Sequence, residues 1–366
     1  MRIVLLCSEL FLTHGGIQRF NRILLRALAE LGQENHHSLK VFSLNDVAVS
    51  DGLAGESCLQ LSVFGKNKKK FAIQALKAMP AADLVLYGHG NLLPLGWGDR
   101  LLRGPGSSAV IVHGEEAWRP LPWRQRWVAS SMKGIISVSS FTAREFCRLN
   151  KLDFSRILLL PNIIDPDWTE WLNPVSRKNP PPMVPTLISV ARLDACDRMR
   201  YKGIDTVIEA LPSLVSEFQK LRYIVVGEGP DRPRLENLAD SLGLGNHVRF
   251  TGAVNEPELK EIYRQASVFV LPSGGEGFGI VYLEAMAYGL PVIAARAGGA
   301  PEVVLDGQTG LLVPYGDPEV ASMAIRQILS DPALARRLGE AGRRRVKEKF
   351  TFPRFKERVV QILEKL

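Results

Sequence analysis

Short, almost uninterrupted apolar runs alternate with longer amphipathic segments along most of this chain. In the first half the runs read RIVLLCS, LKVFSL, DLVLYG, AVIVHG and GIISVS; in the second half they read TLISVAR, RYIVVGEG, HVRFTG, SVFVLPS and PVIAAR. Strands of this composition are buried on both faces, which is typical of parallel sheets covered by helices. The pattern therefore predicts an α/β protein with two doubly wound parallel sheets.

A proline-rich segment separates the two series of strands. Residues 172–185 read LNPVSRKNPPPMVP, and consecutive prolines can neither continue a helix nor donate to a sheet ladder. The chain of 366 residues also exceeds the length that one hydrophobic core usually serves. We expect an N-terminal domain over 1–171, a linker over 172–185 and a C-terminal domain over 186–350. A last helix over 352–366 is a candidate addition to the first domain.

Composition limits the class of protein. A hydrophobic content of 46% with 23% charged residues excludes a disordered chain. The longest apolar runs are far shorter than the roughly 20 residues of a membrane span, and the N-terminus MRIVLLCSEL has no cleavage site. The four cysteines, Cys7, Cys58, Cys147 and Cys196, lack the paired spacing of a zinc site and predict reduced thiols. We therefore expect a cytoplasmic protein.

The net charge of +8 predicts an anionic partner: a phosphate ligand, an acidic membrane surface or nucleic acid. Nucleic acid is disfavoured because no known binding module accompanies the charge. Two segments, FGKNKKKFAIQALKAMP at 64–80 and WRPLPWRQRWVASSMK at 118–133, combine basic residues with apolar or aromatic ones. They suit peripheral binding to an anionic membrane, and the alternative is a core-facing helix with solvated lysines.

The segment THGGIQRFNRILLRALAELG follows the first strand and has an apolar stripe from Ile17 to Leu31. We expect Gly32 to close this helix. Gly15 and Gly16 open it, so free backbone N–H groups at the positive helix end can approach an anion. The alternative is a glycine turn with no ligand.

The stretch GGEGFGIVYLEAMAYG runs from a glycine loop into a helix. Glu276 is expected in the loop and Glu284 in the helix, and carboxylates of this kind accept paired hydrogen bonds from sugar and ribose hydroxyls. Between them, Gly277, Phe278 and Gly279 offer backbone N–H groups suited to a diphosphate. The alternative is that both glutamates are solvated surface charges.

Two further patterns carry less weight. The stretch VVGEGPDR contains only Gly227-x-Gly229, for which a tight turn explains the glycines as well as phosphate contact does. The DPD sequence from Asp165 to Asp167 has the look of a metal-binding pair, but Pro166 makes a turn there. We therefore expect no metal site.

These motifs together resemble the retaining, nucleotide-sugar-dependent glycosyltransferases of family 4, which adopt the GT-B fold with two Rossmann-like domains facing a central cleft. The resemblance is carried by the E-x7-E pair Glu276 and Glu284 with the following EAMAYGLPVIAARAGGAPEVVLDGQTGLLVP. It extends through SVARLD, RYKGIDTVIEAL and YIVVGEGPDR to the N-terminal HGGIQR and to VSSFTAREF with LLLPNIID. It covers nearly the whole chain and is densest over 186–315.

The resemblance implies roles for individual residues. Arg192 and Lys202 would grip the donor diphosphate, with Gly16 on the same phosphates. The spacing between Arg192 and Lys202 is longer than is common in the family, so Arg200 is an alternative to Lys202. Glu284 would hold the ribose hydroxyls.

The remaining roles concern the sugar and the base. The resemblance implies that Glu276 and the backbone of Phe278 and Gly279 hold the transferred sugar. His113, which follows the strand AVIVHG, matches a position near the sugar and the acceptor. Loop contacts around Gly252 to Val254 would recognise the base.

For activity, the resemblance implies metal-independent transfer with retention from a UDP- or GDP-sugar to a glycan or lipid-linked acceptor, as in polysaccharide, lipopolysaccharide or glycolipid assembly. The glutamates would position the donor and would not act as an acid and base. Two alternatives stay open: a sugar-nucleotide isomerase or phosphorylase on the same fold, and a catalytically silent sugar-nucleotide-binding protein.

Overall fold

A computed structural model describes residues 1–12, 15–49, 58–168, 184–194 and 202–366. The chain divides into two compact units. The first comprises Met1–Pro166 and Phe352–Leu366, and the second comprises Asp167–Thr351. The predicted linker lies outside the described residues except for its last two positions.

The first unit is built on a seven-stranded sheet in which all strands are parallel. The strands are β1 (Arg2–Cys7), β2 (Ser38–Ser43), β3 (Leu59–Val63), β4 (Leu84–Tyr87), β5 (Ser108–Val112), β6 (Gly134–Ser137) and β7 (Ile157–Leu159). Their order in the sheet is β3-β2-β1-β4-β5-β6-β7. The central strands β4, β5 and β6 are buried along their whole length, as their apolar sequences predict.

Helices follow most of the strands of this unit. They are α1 (Gly16–Asn35), α2 (Lys68–Ala78), α3 (Gly96–Arg103), α4 (Trp123–Ser131) and α5 (Ser140–Asn150). The stripe of α1 is buried from Phe20 to Leu31, as predicted. The N-cap of α5 is Ser139, whose hydroxyl accepts a hydrogen bond from the Thr142 backbone N–H.

The prediction that Gly32 closes α1 was wrong. The helix continues to Asn35 and ends at His36, which adopts the left-handed conformation with φ 54° and ψ 38°. Gly32 is instead buried within the helix, where a Cβ would lie 3.2 Å from the Cys58 sulfur. The glycine therefore lies in a tightly packed position, and the chain turns four residues later.

The second unit contains a six-stranded sheet, again with all strands parallel. The strands are β8 (Thr186–Val190), β9 (Arg222–Val226), β10 (Val248–Gly252), β11 (Val268–Leu271), β12 (Val292–Ala295) and β13 (Gly310–Val313). Their order is β10-β9-β8-β11-β12-β13, which reverses direction between β8 and β11 just as the first sheet reverses between β1 and β4. Both sheets thus have the doubly wound order of Rossmann-like domains.

The helices of the second unit begin at N-caps of different kinds. They are α6 (Ile204–Val215), α7 (Arg232–Ser241), α8 (Glu256–Gln265), α9 (Ile280–Ala287), α10 (Ala300–Val303), α11 (Pro318–Ser330) and α12 (Pro332–Lys349). Asn255 and Glu258 form a reciprocal capping box at the start of α8. Gly203 and Gly279, the N-caps of α6 and α9, both have positive φ, of 72° and 93°. These two helix starts lie directly beside predicted site residues.

The last helix, α13 (Phe352–Lys365), belongs to the first unit. The Phe355 ring packs edge-on against Phe20 of α1, with 5.7 Å between the ring centroids. The Lys356 ammonium of α13 donates to Glu30 and Glu34 of α1. Across the described residues, no helix combines the length and apolar character needed to span a bilayer.

Candidate active site

The predicted site residues of the second unit follow strands on the two sides of the sheet's reversal. Arg192 lies two residues after β8, and the glycine loop with Glu276 follows β11. These neighbouring strands are parallel, so their carboxyl ends lie at the same edge of the sheet. In open α/β sheets the carboxyl edge at such a reversal is where ligands bind.

Two of the predicted residues form an ion pair at this edge. The Lys202 ammonium donates to Glu276 Oε1 over 2.7 Å, and the two side chains are only 21% and 12% exposed. Arg192 lines the same small pocket as Lys202. Its Nε lies 2.7 Å from Asp194 Oδ2, and its side chain is 73% exposed. The two cations therefore share one pocket wall, with Arg192 open to solvent and Lys202 held by Glu276.

Glu284 lies within α9 and is buried, with 3% exposure. Its Oε2 accepts a hydrogen bond of 2.8 Å from the hydroxyl of Tyr263, a fully buried residue of α8. A buried carboxylate requires hydrogen-bond donors to offset the loss of hydration. The alternative that Glu276 and Glu284 are solvated surface charges is therefore wrong. The contribution of Tyr263 was not predicted, because nothing in the local sequence links it to a glutamate 21 residues later.

The loop between β11 and α9 is fixed by close backbone packing. A Cβ on Gly298, whose φ is 60°, would lie 2.6 Å from the carbonyl oxygen of Glu276. The Gly299 N–H donates to that same carbonyl over 2.7 Å. Phe278 is 3% exposed and packs against Phe350, so only its backbone is available for a ligand. Gly277 and Gly279 flank it at the start of the helix.

The glycines after β9 are explained by packing. A Cβ on Gly227 would lie 1.8 Å from the Ala191 carbonyl oxygen, and one on Gly229 would lie 2.1 Å from that of Leu193. The two glycines thus let this loop pass against the backbone on both sides of Arg192. Gly252 accepts a hydrogen bond from the Gly227 N–H, and Val254 follows half-buried before α8.

In the first unit, Gly15 is the N-cap of α1 and Gly16 its first residue, and both are exposed. The loop before them is held by Asp46, a residue absent from the prediction. Its carboxylate accepts the backbone N–H groups of Leu10, Phe11 and Leu12 at 2.7, 3.0 and 2.8 Å. The buried Asp46 therefore fixes the approach to the glycine turn.

His113 follows β5 directly and is 8% exposed. Its Nε2 lies 2.9 Å from the Gly88 carbonyl oxygen, and its backbone N–H donates to Glu116 over 2.6 Å. A second histidine, His89, stacks beside it with 5.9 Å between ring centroids. His89 was not predicted, because it follows a different strand and carries no motif of its own.

Three predicted features need separate mention. Arg200, the alternative to Lys202, lies outside the described residues. Asp165 of the DPD sequence forms an ion pair with Arg19 at 3.4 Å. Over the described ranges, no group of three or more His, Cys, Asp or Glu side chains is arranged to hold a metal ion.

Comparison with known proteins finds sequence similarity over part of the chain. Residues 176–345 match the family model described as glycosyl transferases group 1. A GDP-mannose-dependent alpha-(1-6)-phosphatidylinositol monomannoside mannosyltransferase from Mycolicibacterium smegmatis is 40% identical over 166 residues, which are 43% of this chain and 42% of the relative. The chain thus spans less than half the length of these curated relatives, which include a D-inositol 3-phosphate glycosyltransferase from Streptomyces avermitilis with 33% of its length covered.

Solved structures resemble the whole chain. A glycosyltransferase from Rickettsia africae ESF-5 has a TM-score of 0.77 at 19% identity, covering 99% of this chain and 97% of its own. Anabaena Alr3699/HepE in complex with UDP has a TM-score of 0.76 at 18% identity, with all of both chains covered. With the two doubly wound sheets, these likenesses confirm the predicted GT-B fold class.

Proposed function

We propose that this protein is a retaining glycosyltransferase that moves a sugar from a nucleoside diphosphate sugar to a hydroxyl group of a glycan or lipid-linked acceptor. The observation that carries the proposal is the ion pair of Lys202 with Glu276 beside Arg192, at the carboxyl edge of the second sheet. A donor of this class has a diphosphate for the two cations and a sugar for the carboxylate. The buried Glu284 supplies an acceptor for the ribose hydroxyls.

The chemical task is to stabilise charge on the leaving group. When the bond between the anomeric carbon and the phosphate oxygen breaks, negative charge grows on the nucleoside diphosphate. Fixed cations that strengthen their contact as this charge develops lower the barrier. Arg192 and Lys202 are suited to this role because both side chains are cationic and line one pocket. The backbone N–H groups at the start of α9 add a positive helix end.

Retention follows if the acceptor hydroxyl attacks from the face that the diphosphate leaves. The acceptor oxygen then forms the new bond to the anomeric carbon, and its proton passes to the departing phosphate oxygen. This route requires no enzyme nucleophile. Glu276 and Glu284 therefore act as positioning groups, and the route proceeds without a metal ion because the cations of the protein carry the charge stabilisation.

The donor is proposed to be a UDP- or GDP-sugar. The similar mycolicibacterial enzyme is named for GDP-mannose, and the Anabaena structure contains UDP. A thermal-shift screen of UDP-, GDP- and ADP-sugars identifies the base, because a ligand that binds only the folded state raises the melting temperature. Incubation of the stabilising donor with and without glycan acceptors, followed by NMR of the anomeric proton, then tests transfer and retention. Release of a free or isomerised sugar with no acceptor product would reject the proposal.

The same proposal places the first unit at an anionic membrane surface. Trp97 stacks on Trp127 with 4.7 Å between ring centroids, and the Arg100 guanidinium lies 3.9 Å from the Trp127 centroid. Trp123 is 63% exposed on the same helix, with Arg124 5.2 Å from its ring. Aromatic rings that carry cations suit the headgroup level of an anionic bilayer.

A second basic cluster of the first unit consists of lysines at the start of α2. Lys66, Lys68, Lys69 and Lys70 are all exposed, while Phe71 and Ala75 of the same segment are buried. The apolar face of α2 is thus used by the core, and its lysines remain available to lipid headgroups. Each such residue contributes on the order of 1 kcal/mol near an anionic surface.

Vesicle cosedimentation tests this location. Binding should rise with anionic lipid content, fall with added salt, and drop markedly when Lys66, Lys68, Lys69 and Lys70 are changed to serine. A matched control changes four exposed lysines elsewhere, Lys220, Lys347, Lys349 and Lys365, to serine and so alters the net charge equally. Equal loss in both quadruple variants would show that total charge, and not this surface, governs binding.

A further inference from the structure

Three charged side chains of the second unit form a network beside Arg192 and Lys202. Arg234, in the first turn of α7, donates from Nε and Nη2 to the two carboxylate oxygens of Asp231, each over 2.7 Å. Its Nη2 also donates to Asp205 Oδ2 over 3.1 Å. Asp205 is the second residue of α6, and Asp231 is the N-cap of α7. Arg234 therefore joins the starts of the two helices through charge-assisted hydrogen bonds.

This network lines the same pocket as Arg192 and Lys202. Asp205 comes three residues after Lys202, and the Asp231 N–H donates over 3.0 Å to the carbonyl of Leu193, the neighbour of Arg192. Among the described residues of this lining, three aspartates accompany three cations. The positive charge that the pocket offers to an anion therefore depends on which aspartates are offset by a cation of their own.

A carboxylate without such a partner in this pocket would act against a bound diphosphate. It would repel the phosphate oxygens and attract the cations that these oxygens need, and both effects are strong where water is partly excluded. Arg234 offsets its two aspartates at every ordinary pH, because a guanidinium stays protonated in proteins. Asp231 is only 5% exposed, and a buried charge that loses its partner is costly.

We propose that Arg234 keeps Asp205 and Asp231 from competing with the donor diphosphate for Arg192 and Lys202. The inference rests on the proposed function and deepens it, because it adds a positioning residue to the donor site. Arg234 acts through the two aspartates and does not need to contact the donor.

Two variants separate this charge effect from a loss of structure. Arg234→Met keeps an unbranched apolar stem and removes the charge, so both aspartates lose this partner. The double variant combines Arg234→Met with Asp205→Asn and has one competing charge fewer. The amide oxygen of the new side chain can still accept the Thr206 N–H, which Asp205 binds over 3.0 Å.

A matched control removes a positive charge elsewhere in the same unit. Arg326 of α11 donates to Glu217 over 2.8 Å, and its side chain is 36% exposed, against 34% for Arg234. Arg326→Met thus removes an equally exposed arginine and its ion pair, outside the pocket lining. Thermal unfolding of every variant verifies that the fold is retained.

Calorimetry at low salt measures the dissociation constants of UDP, GDP and ADP for the full chain, and the nucleotide that the wild type binds most tightly is used throughout. Arg234→Met should bind it about tenfold more weakly, and the double variant should recover most of this loss. The loss should shrink as added sodium chloride screens the charges. Arg326→Met should bind as the wild type does.

Equal affinity of the wild type and Arg234→Met would overturn the inference. So would a double variant that binds no better than Arg234→Met, which is the result expected if Arg234 only held the two helices together. An equal loss in Arg326→Met would assign the effect to net charge and reject the inference as well.

Sugar transfer by the wild type, measured on the same preparation, reports the proposed function independently. Transfer together with unchanged nucleotide affinity in Arg234→Met rejects only the role of Arg234. A wild type that binds none of the three nucleotides and transfers no sugar rejects both.

Discussion

The carboxyl edges of the two sheets carry different chemistry although their strands have corresponding order. At the first edge His89 and His113 form a buried pair of rings, which are neutral because burial lowers the pKa of each. At the second edge Lys202 and Glu276 present opposite formal charges in a half-buried ion pair. The shared strand order positions both sets, and the loop residues give one edge neutral rings and the other opposite charges.

The largest expected effect comes from removing charge at the second edge. Lys202→Ala should lower turnover by two or more orders of magnitude, because the contact strengthens as the leaving group gains charge. Lys202→Arg keeps the charge and should retain part of the activity. Chelators should leave the wild type active. Complete loss of activity in EDTA, restored by manganese, would show that a metal ion and not Lys202 carries the charge.

The next effect separates the two glutamates of the same edge. Glu284→Gln should weaken the binding of donor and free nucleotide alike by tens of fold, since both contain ribose and charge-assisted hydrogen bonds are lost. Glu276→Gln should spare free nucleotide and impair the sugar-dependent step. Calorimetry on both ligands measures the difference. The same loss of free-nucleotide affinity in both variants would contradict the assignment of the sugar to Glu276.

Most strands of the two sheets could be predicted from the sequence, and the strands that were not predicted share a physical reason. The ten predicted strands correspond to observed ones, whereas β3, β7 and β13 were not predicted. All three lie at the edges of their sheets. An edge strand has a neighbouring strand on one side only, so its sequence does not need a continuous apolar run. Interior strands give a strong apolar signal because they are covered on both faces.

The site residues also fall into those that the sequence predicted and those that it did not. Glu276 and Glu284 belong to one local motif, so their places in a loop and a helix were predicted and confirmed. Tyr263 contacts Glu284, and His89 contacts His113. The two residues of each pair are distant in the chain, and only the fold brings them together. Asp46 is similar, since its carboxylate reaches backbone groups more than 30 residues earlier. Contacts between elements have no signature in a single segment.

The dependence of stability on pH tests whether the His113 ring at the edge of the first sheet is neutral in the folded protein. The ordinary pKa of 6.5 for histidine is lowered to about 4 in His113, so between these values the unfolded chain binds more protons. Stability conferred by the neutral ring is complete above pH 6.5 and is lost as the pH falls toward 4. From pH 7.5 to 5 the free energy of unfolding should fall by about 2 kcal/mol more in the wild type than in His113→Gln. Parallel urea-denaturation curves for the two proteins would mean that the ring accepts a proton in the folded state.

The smallest expected effect concerns the hydrogen bond by which Tyr263 holds Glu284 in the second unit. Tyr263→Phe removes the hydroxyl that donates to Glu284 over 2.8 Å and should weaken the binding of UDP or GDP by several-fold, since the carboxylate loses one of the contacts that direct it. The corresponding 2′,3′-dideoxynucleotide should lose much less, because its ribose has no hydroxyl for Glu284. Tyr282→Phe is the matched control, as it removes another buried tyrosine hydroxyl whose partner is the Leu271 carbonyl. Both variants should lose similar stability, but only Tyr263→Phe should discriminate the two nucleotides. If Tyr282→Phe discriminated them equally, the effect would be general loosening of α9, and Tyr263 would have no particular role in orienting Glu284.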